Sequence, residues 1–108
     1  MKHIQRQIDL LKQKILEVGG LVEEAIANAI SAMLNRDGKL AQRVIGDDSA
    51  IDQMEVEVEE DCLKILALYQ PVAADLRFVV AILKINNDLE RIGDLARNIA
   101  KRVNYLSK

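Results

Sequence analysis

Residues 70–100 read QPVAADLRFVVAILKINNDLERIGDLARNIA, and this stretch decides the fold. Pro71 ends any helix that precedes it, because proline has no N–H to donate and disfavours a helical conformation in the residue before it. After the proline, apolar residues recur in alternating steps of four and three, which is the period of a helix with one buried face. The stretch therefore predicts a turn at Pro71 and a long helix from about Ala73.

Two earlier segments carry apolar stripes of the same period, so each of them also predicts a helix with one buried face. The predicted inner positions are Ile4, Ile8, Leu11, Ile15, Val18, Val22, Ala25, Ala29 and Ala32 in the first segment, Ile51, Met54, Val58, Cys62, Ile65 and Tyr69 in the second, and Phe78, Ile82, Ile85, Leu89, Ile92, Ala96, Ile99, Val103 and Leu106 in the third.

Turn residues mark where these helices end. Asn35, Asp37 and Gly38 supply turn and cap chemistry, which ends the first helix near residue 35. The sequence GDDS at residues 46–49 predicts a break and a new cap, which would leave a short extra helix after the first long one. The expected fold is all-α: an antiparallel three-helix bundle that forms a single domain over residues 1–108, with the short extra helix as a further expectation.

Composition and charge narrow the class of protein. Half of the 108 residues are apolar and only 3% are aromatic, which is typical of packed helices. A net charge of −2 gives no general attraction to nucleic acid or to anionic lipid. The single cysteine, Cys62, excludes an intrachain disulfide, and the sequence contains neither a membrane span nor a signal peptide. We therefore expect a cytoplasmic protein.

Two pairs of acids are spaced so that each pair lies on one helix face. Glu90 and Asp94 are four residues apart, as are Asp48 and Asp52, and side chains at this spacing stack roughly 6 Å apart. If the chain folds back about Pro71, Asp48 stands level with Asp94, and Asp52 stands level with Glu90. Four carboxylates at one height repel one another unless a cation lies between them. The sequence therefore predicts a metal site at Asp48, Asp52, Glu90 and Asp94.

The type of ligand limits the metal. Carboxylates without thiolate or imidazole suit hard cations such as magnesium, manganese or iron, and they disfavour structural zinc. With Leu89 and Ile92 as core positions, Glu90 and Asp94 point away from the seam, so we expect the acids to line an outer surface groove. Acids at this spacing also occur by chance on helix surfaces. The residues alone therefore leave open a solvated face that binds no metal.

Catalytic groups are scarce. The only histidine, His3, lies close to the first residue, and the sequence has no glycine-rich phosphate loop. No serine has a histidine to activate it, and Cys62 falls on an apolar stripe. We therefore expect no enzymatic activity.

Residues 70–100 resemble the signature of the PhoU family of phosphate-uptake regulators, through Q-P at 70–71, D-L-R at 75–77 and E-R-I-G-D at 90–94. The first helix, with glycines in its middle, and the D-D-S-A-I-D segment at 47–52 are also similar to that family. The resemblance implies a three-helix bundle without enzymatic activity. It also implies a cytoplasmic regulator that links a phosphate-specific ABC transporter to a membrane sensor histidine kinase.

The same resemblance implies bound metal, because the family carries E(D)-x-x-x-D motifs that hold iron or other metals. Here those motifs match Glu90 with Asp94 and Asp48 with Asp52. Typical members contain two bundles in tandem, whereas this chain has the length of one, so a function that needs two bundles requires two chains to associate. The first helix indicates association independently, because it carries a second apolar stripe. That stripe contains Ile26, Ile30, Met33 and Leu34. We therefore expect a homodimer. The alternative to a metal-binding regulatory adaptor is a structural helical interaction module without bound metal.

Overall fold

The structure, a computed structural model, describes residues 2–107, except for the side chain of Lys2. The described residues form three long helices, α1 (Lys2–Asn35), α2 (Gly38–Tyr69) and α3 (Ala73–Leu106). Each helix packs along the other two, and short connections make successive helices antiparallel, so the bundle is a rod of 55 × 18 × 16 Å. The prediction of an all-α, antiparallel three-helix bundle is confirmed. None of the described helices has an apolar stretch long enough to cross a membrane.

Local chemistry at the two turns explains where the helices end. Arg36 adopts a left-handed φ of 52° after α1, and the Asp37 side chain caps α2 by accepting a hydrogen bond from the Leu40 N–H at 3.1 Å. Gln70 adopts a left-handed φ of 45° after α2, and Pro71 prevents the helix from continuing. The predicted helix ends near residue 35 and before Pro71 are confirmed.

α2 runs through residues 46–49 without a break, so the prediction of a short extra helix is wrong. Gly46 costs about 1 kcal/mol inside a helix, and the burial of Val44 and Ile51 on either side outweighs that cost. The buried positions of α2 are Ala41, Val44, Asp48, Ile51, Glu55, Val58, Cys62 and Ile65. Two of these regularly spaced inner positions, Asp48 and Glu55, are acids. They interrupt the apolar pattern in the sequence, so the continuous helix resembles two shorter ones.

The core divides into two clusters along the rod. The first consists mainly of larger aliphatic side chains, from α1 between Ile4 and Val22 and from the facing parts of α2 and α3. The second is rich in alanine, which brings the helix backbones closer together. Its buried members are Ala29, Ala32, Ala41, Val44, Ala96, Ala100 and Val103. The predicted inner stripe of α1 is buried except for Ala25, which is partly exposed.

α3 is rotated about its axis relative to the prediction. Ile82, Ala96 and Val103 are buried as expected. Three other predicted inner positions are wrong, because Ile85, Ile92 and Leu106 are 45%, 40% and 80% exposed. The buried positions of α3 are Val79, Ile82, Asn86, Gly93, Ala96, Ala100 and Val103. Ala96 and Ala100 belong to the alanine-rich cluster, where small side chains allow close helix packing. Larger aliphatic side chains are left along an exposed edge of α3.

Candidate metal centre

Acidic side chains from α2 and α3 meet in an open groove between the two helices. One carboxylate oxygen from each of Asp48, Asp52 and Asp94 lies within 4.8 Å of the other two. Oxygens that bind one cation at roughly 2.0–2.6 Å are at most about 5 Å apart, so these three can reach a single ion. The structure thus brings together three of the four predicted ligands from two different helices.

Glu90, the fourth predicted ligand, lies outside this group of three. Its side chain is exposed and lines the same groove, which has a volume of about 360 Å³. Asp52 and Asp94 are partly exposed, whereas Asp48 is only 8% exposed. The prediction that all four acids point outward is therefore wrong for Asp48, which occupies an inner position of α2.

Arg97 supplies positive charge to the groove from within the protein. Its Nη1 donates a hydrogen bond to Asp48 Oδ2 at 3.1 Å, and its Nη2 lies 3.4 Å from Asp94 Oδ1. The hydrogen bond to Asp48 and the charge of that carboxylate raise the pKa of Arg97. The sequence prediction gave this arginine no role, although it follows Asp94 by three residues on one helix face.

Glu55 is a second residue that the sequence prediction missed. It lines the groove and is 4% exposed, and its Oε2 has no hydrogen-bond partner among the described residues. Burial, followed by the charges of Asp52 and Glu90, raises the pKa of Glu55 to about 7. Burial and the charge of Asp48 also raise the pKa of Asp52. The spacing held a signal, because Glu55 follows Asp48 by two helical turns.

Asn86 fixes the axial register of α3 relative to α2. The residue is 2% exposed, and its Nδ2 donates a hydrogen bond to the backbone oxygen of Glu55 at 2.9 Å. Beyond the acids, Gln42 Nε2 donates to Asn104 Oδ1 at 3.2 Å. These two bonds lie on either side of Asp48, Asp52 and Asp94 along the rod, so they help to hold the carboxylates of α2 level with Asp94.

The chemistry of the donors fits a hard cation. Carboxylate oxygens suit magnesium, manganese or iron, and the unpaired oxygen of Glu55 is a buried polar atom that a cation would satisfy. Cys62 is buried in the core, and burial raises the pKa of its thiol to about 11. It packs among the apolar side chains of the first core cluster and is not one of the three residues whose ligand atoms meet in the groove.

Comparison with known proteins gives a consistent result. The PhoU domain family model matches residues 15–103. The phosphate-specific transport system accessory protein PhoU of Serratia marcescens is 46% identical in an alignment of 104 positions that covers 93% of this chain and 43% of that protein. The protein of the same name from Escherichia coli K12 is 42% identical over 104 residues, with the same shares of the two chains.

Solved structures agree with these relatives. The crystal structure of PhoU from Pseudomonas aeruginosa matches with a TM-score of 0.92 and 41% identity, over 95% of this chain and 49% of that one. The phosphate transport system regulatory protein PhoU from Streptococcus pneumoniae matches with a TM-score of 0.85 and 38% identity, over 93% and 47% of the two chains. This chain therefore spans about half the length of the relatives it matches.

Proposed function

This chain belongs to the PhoU family, and from that membership we propose that it regulates phosphate uptake and the phosphate-starvation response. In this proposal it is a metal-binding cytoplasmic adaptor, not an enzyme. It works as a homodimer on a phosphate-specific ABC transporter and its sensor histidine kinase. The names of its relatives support the role in transport. The observation that supports the metal is that carboxylate oxygens of Asp48, Asp52 and Asp94 lie within 4.8 Å of one another.

The acids in and beside the groove would have different roles in binding a cation. Asp48, Asp52 and Asp94 would supply the first ligands, and Glu55 and Glu90 line the groove where they would extend the set. When bound, magnesium, manganese or iron supplies positive charge between α2 and α3 and links the two helices. The three-helix rod would then present a charged surface of fixed shape, which is what an adaptor needs in order to distinguish its partners.

Arg97 favours a second candidate, a structural helical interaction module that binds no metal. Its guanidinium already contacts Asp48 and Asp94 and so offsets part of their repulsion. In this candidate the bundle would still dock on partners, but the acids would serve only to hold α3 against α2. The two candidates differ in one measurable property, the binding of a divalent cation.

The metal is tested by titrating manganese into chelator-treated protein and measuring heat and bound metal. We expect saturable binding that the double variant Asp52→Asn, Asp94→Asn removes, with its helix content unchanged in circular dichroism. The matched control, Asp47→Asn with Glu60→Gln, removes the same two charges from exposed positions outside the group of three and should bind as the wild type does. Equal loss in both double variants would show that general charge, rather than this site, holds the ion.

The partners are tested by affinity capture with the purified transporter and the sensor kinase in detergent. We expect the wild-type protein, loaded with manganese, to retain at least one of the two. If the metal shapes the docking surface, the Asp52→Asn, Asp94→Asn variant should retain less, whereas the charge-matched control should not. Failure to retain either membrane protein, with or without manganese, would contradict the adaptor proposal while leaving the metal result unaffected.

A further inference from the structure

The exposed edge of α3 continues onto α1 as one apolar surface, which we call the α1/α3 face. On α3, Ile85, Ile92 and Leu106 fall at heptad spacing on one side of the helix, which is also the side of Leu95. The members of the face are Leu16, Ile26, Ile30, Met33 and Leu34 on α1, and Ile85, Ile92, Leu95, Ile99 and Leu106 on α3.

Contacts between the two helices show that these stripes lie side by side. Met33 and Leu106 line one cavity at one end of the rod. Toward the other end, Lys12 Nζ lies 5.3 Å from the ring centre of Phe78, and Leu16 follows Lys12 by one turn. Both stripes therefore cover the same length of the bundle. The acidic groove lies on the other side of α3, between α3 and α2.

The area of the α1/α3 face is too large for an ordinary surface patch. Eight of its side chains are between 40% and 80% exposed. Together they expose on the order of 800 Å², which exceeds the roughly 300–600 Å² of the largest apolar patch on a typical monomer. About 800 Å² is what each partner contributes to a stable interface of standard size.

Two charges beside the face favour a second copy of this chain as the partner that covers it. Along one line of α3, Asp88 precedes Leu95 by seven residues and Arg102 follows it by seven, and both charged side chains are exposed. Neither makes an ion pair with another described residue. A two-fold axis through Leu95 would place Asp88 of each copy opposite Arg102 of the other copy. The dimer would therefore contain two such pairs of opposite charge. This pair of charges is therefore complementary about such an axis, which is the relation that an isologous dimer requires.

We propose that the α1/α3 face is the interface between two copies of this chain, with the α3 helices antiparallel across a two-fold axis at Leu95. This inference rests on the self-association included in the proposed function and adds the surface and the symmetry. The two acidic grooves then lie on the sides of the α3 helices away from the interface, so dimer formation leaves both open. Metal binding and self-association should therefore be separable by mutation.

The first test replaces an apolar side chain at the axis. In sedimentation equilibrium across micromolar concentrations, we expect the wild type to be a dimer. Leu95→Glu should raise the dimer dissociation constant on the order of a hundredfold, because it brings two like charges together. Leu63→Glu is a matched control, since Leu63 is 52% exposed and Leu95 53% exposed, and Leu63 lies on α2 outside the face. The control should dimerise as the wild type does.

The second test exchanges the paired charges. Asp88→Arg and Arg102→Asp should each weaken the dimer, and the variant that carries both should recover it. Asp88 and Arg102 lie fourteen residues apart on one helix, roughly 21 Å, so only contacts between copies can produce such a recovery. Circular dichroism and manganese titration of each variant confirm that the bundle and the groove are intact.

Each outcome decides a different point. A wild-type chain that remains a monomer would overturn self-association and, with it, the assignment of this face to a second copy. A wild-type dimer that Leu95→Glu and Leu63→Glu disturb equally, or a double charge exchange without recovery, would overturn this surface while keeping the dimer. Loss of manganese binding in Leu95→Glu would contradict the separation of the interface from the acidic groove.

Discussion

Replacing Glu55 by glutamine should stabilise the metal-free protein at alkaline pH and leave it almost unchanged in acid. Glu55 has an ordinary pKa of 4.5, which rises to about 7 in the folded protein. The first cause is burial, and the second is the negative charge of Asp52, Glu90 and Asp94, which line the same groove. The folded state therefore holds a proton that the unfolded state releases between these two pKa values.

The sign and size of the effect follow from proton linkage. Because the pKa is raised on folding, the contribution of Glu55 to stability is fully present below pH 4.5 and is lost as the pH rises through about 7. A shift of this size corresponds to at most about 3 kcal/mol of unfolding free energy. Glutamine keeps the shape and has no charge to bury. The variant should therefore gain up to about 3 kcal/mol over wild type at pH 8 and almost nothing at pH 4.5.

Urea unfolding followed by circular dichroism, in chelator-containing buffer at both pH values, measures this difference. Glu59→Gln is the matched control, because Glu59 is exposed and lies one turn farther along the same helix. The control should show the same small change at both pH values. If Glu55→Gln changed stability by the same amount at pH 4.5 and pH 8, the buried carboxyl would not be the group that titrates.

Three further changes test other features. A Cβ at Gly93 would meet no atom within 4 Å. Gly93→Ala should therefore stabilise the bundle by about 1 kcal/mol and raise the melting temperature by several degrees. Gly20→Ala should have the same effect, because a Cβ at Gly20 would also meet no atom within 4 Å. Arg97→Gln should destabilise the metal-free protein in urea yet tighten manganese binding in calorimetry, because the guanidinium no longer competes for Asp48 and Asp94. Unchanged affinity would show that the arginine and the ion do not compete. Manganese at one hundred times its dissociation constant should stabilise the wild type by about 2.7 kcal/mol, and an unchanged melting temperature near neutral pH would favour the module without metal.

Apolar periodicity predicted the three helices and most of α1, because an amphipathic helix repeats its buried residues at a fixed spacing. It failed where polar or small residues occupy inner positions. Asp48 and Glu55 hid the continuity of α2, and Asn86 and Gly93 hid the face of α3 that packs inward. A pattern of hydrophobicity ranks such residues as outer ones, although each of the four is buried on the inward side of its helix.

The same limits apply to the groove. The i, i+4 spacing identified Asp48, Asp52 and Asp94, which the structure brings together. That spacing did not single out Glu55, which follows Asp48 by seven residues and whose part depends on its depth in the groove. Nor did it single out Arg97, whose part depends on the rotation of α3. Spacing along one helix predicts which residues share a face, but the angle of that face toward its neighbour depends on the packing of the whole bundle.

The hydrogen bond from Asn86 to the backbone of Glu55 has a consequence for how this protein can change. Aliphatic contacts alone would let α3 slide along α2 by one turn, about 5.4 Å, with little loss of buried area. Such a slide would separate Asp94 from Asp48 and strand the Asn86 amide in the core. The Asn86 amide thus favours a single register of α3 against α2, because a register shifted by one turn would leave it without this hydrogen bond. An aliphatic residue at position 86 would remove this constraint, so that a variant could be more thermally stable and yet lose the alignment of its acids. Thermal stability alone therefore does not show which variants remain functional.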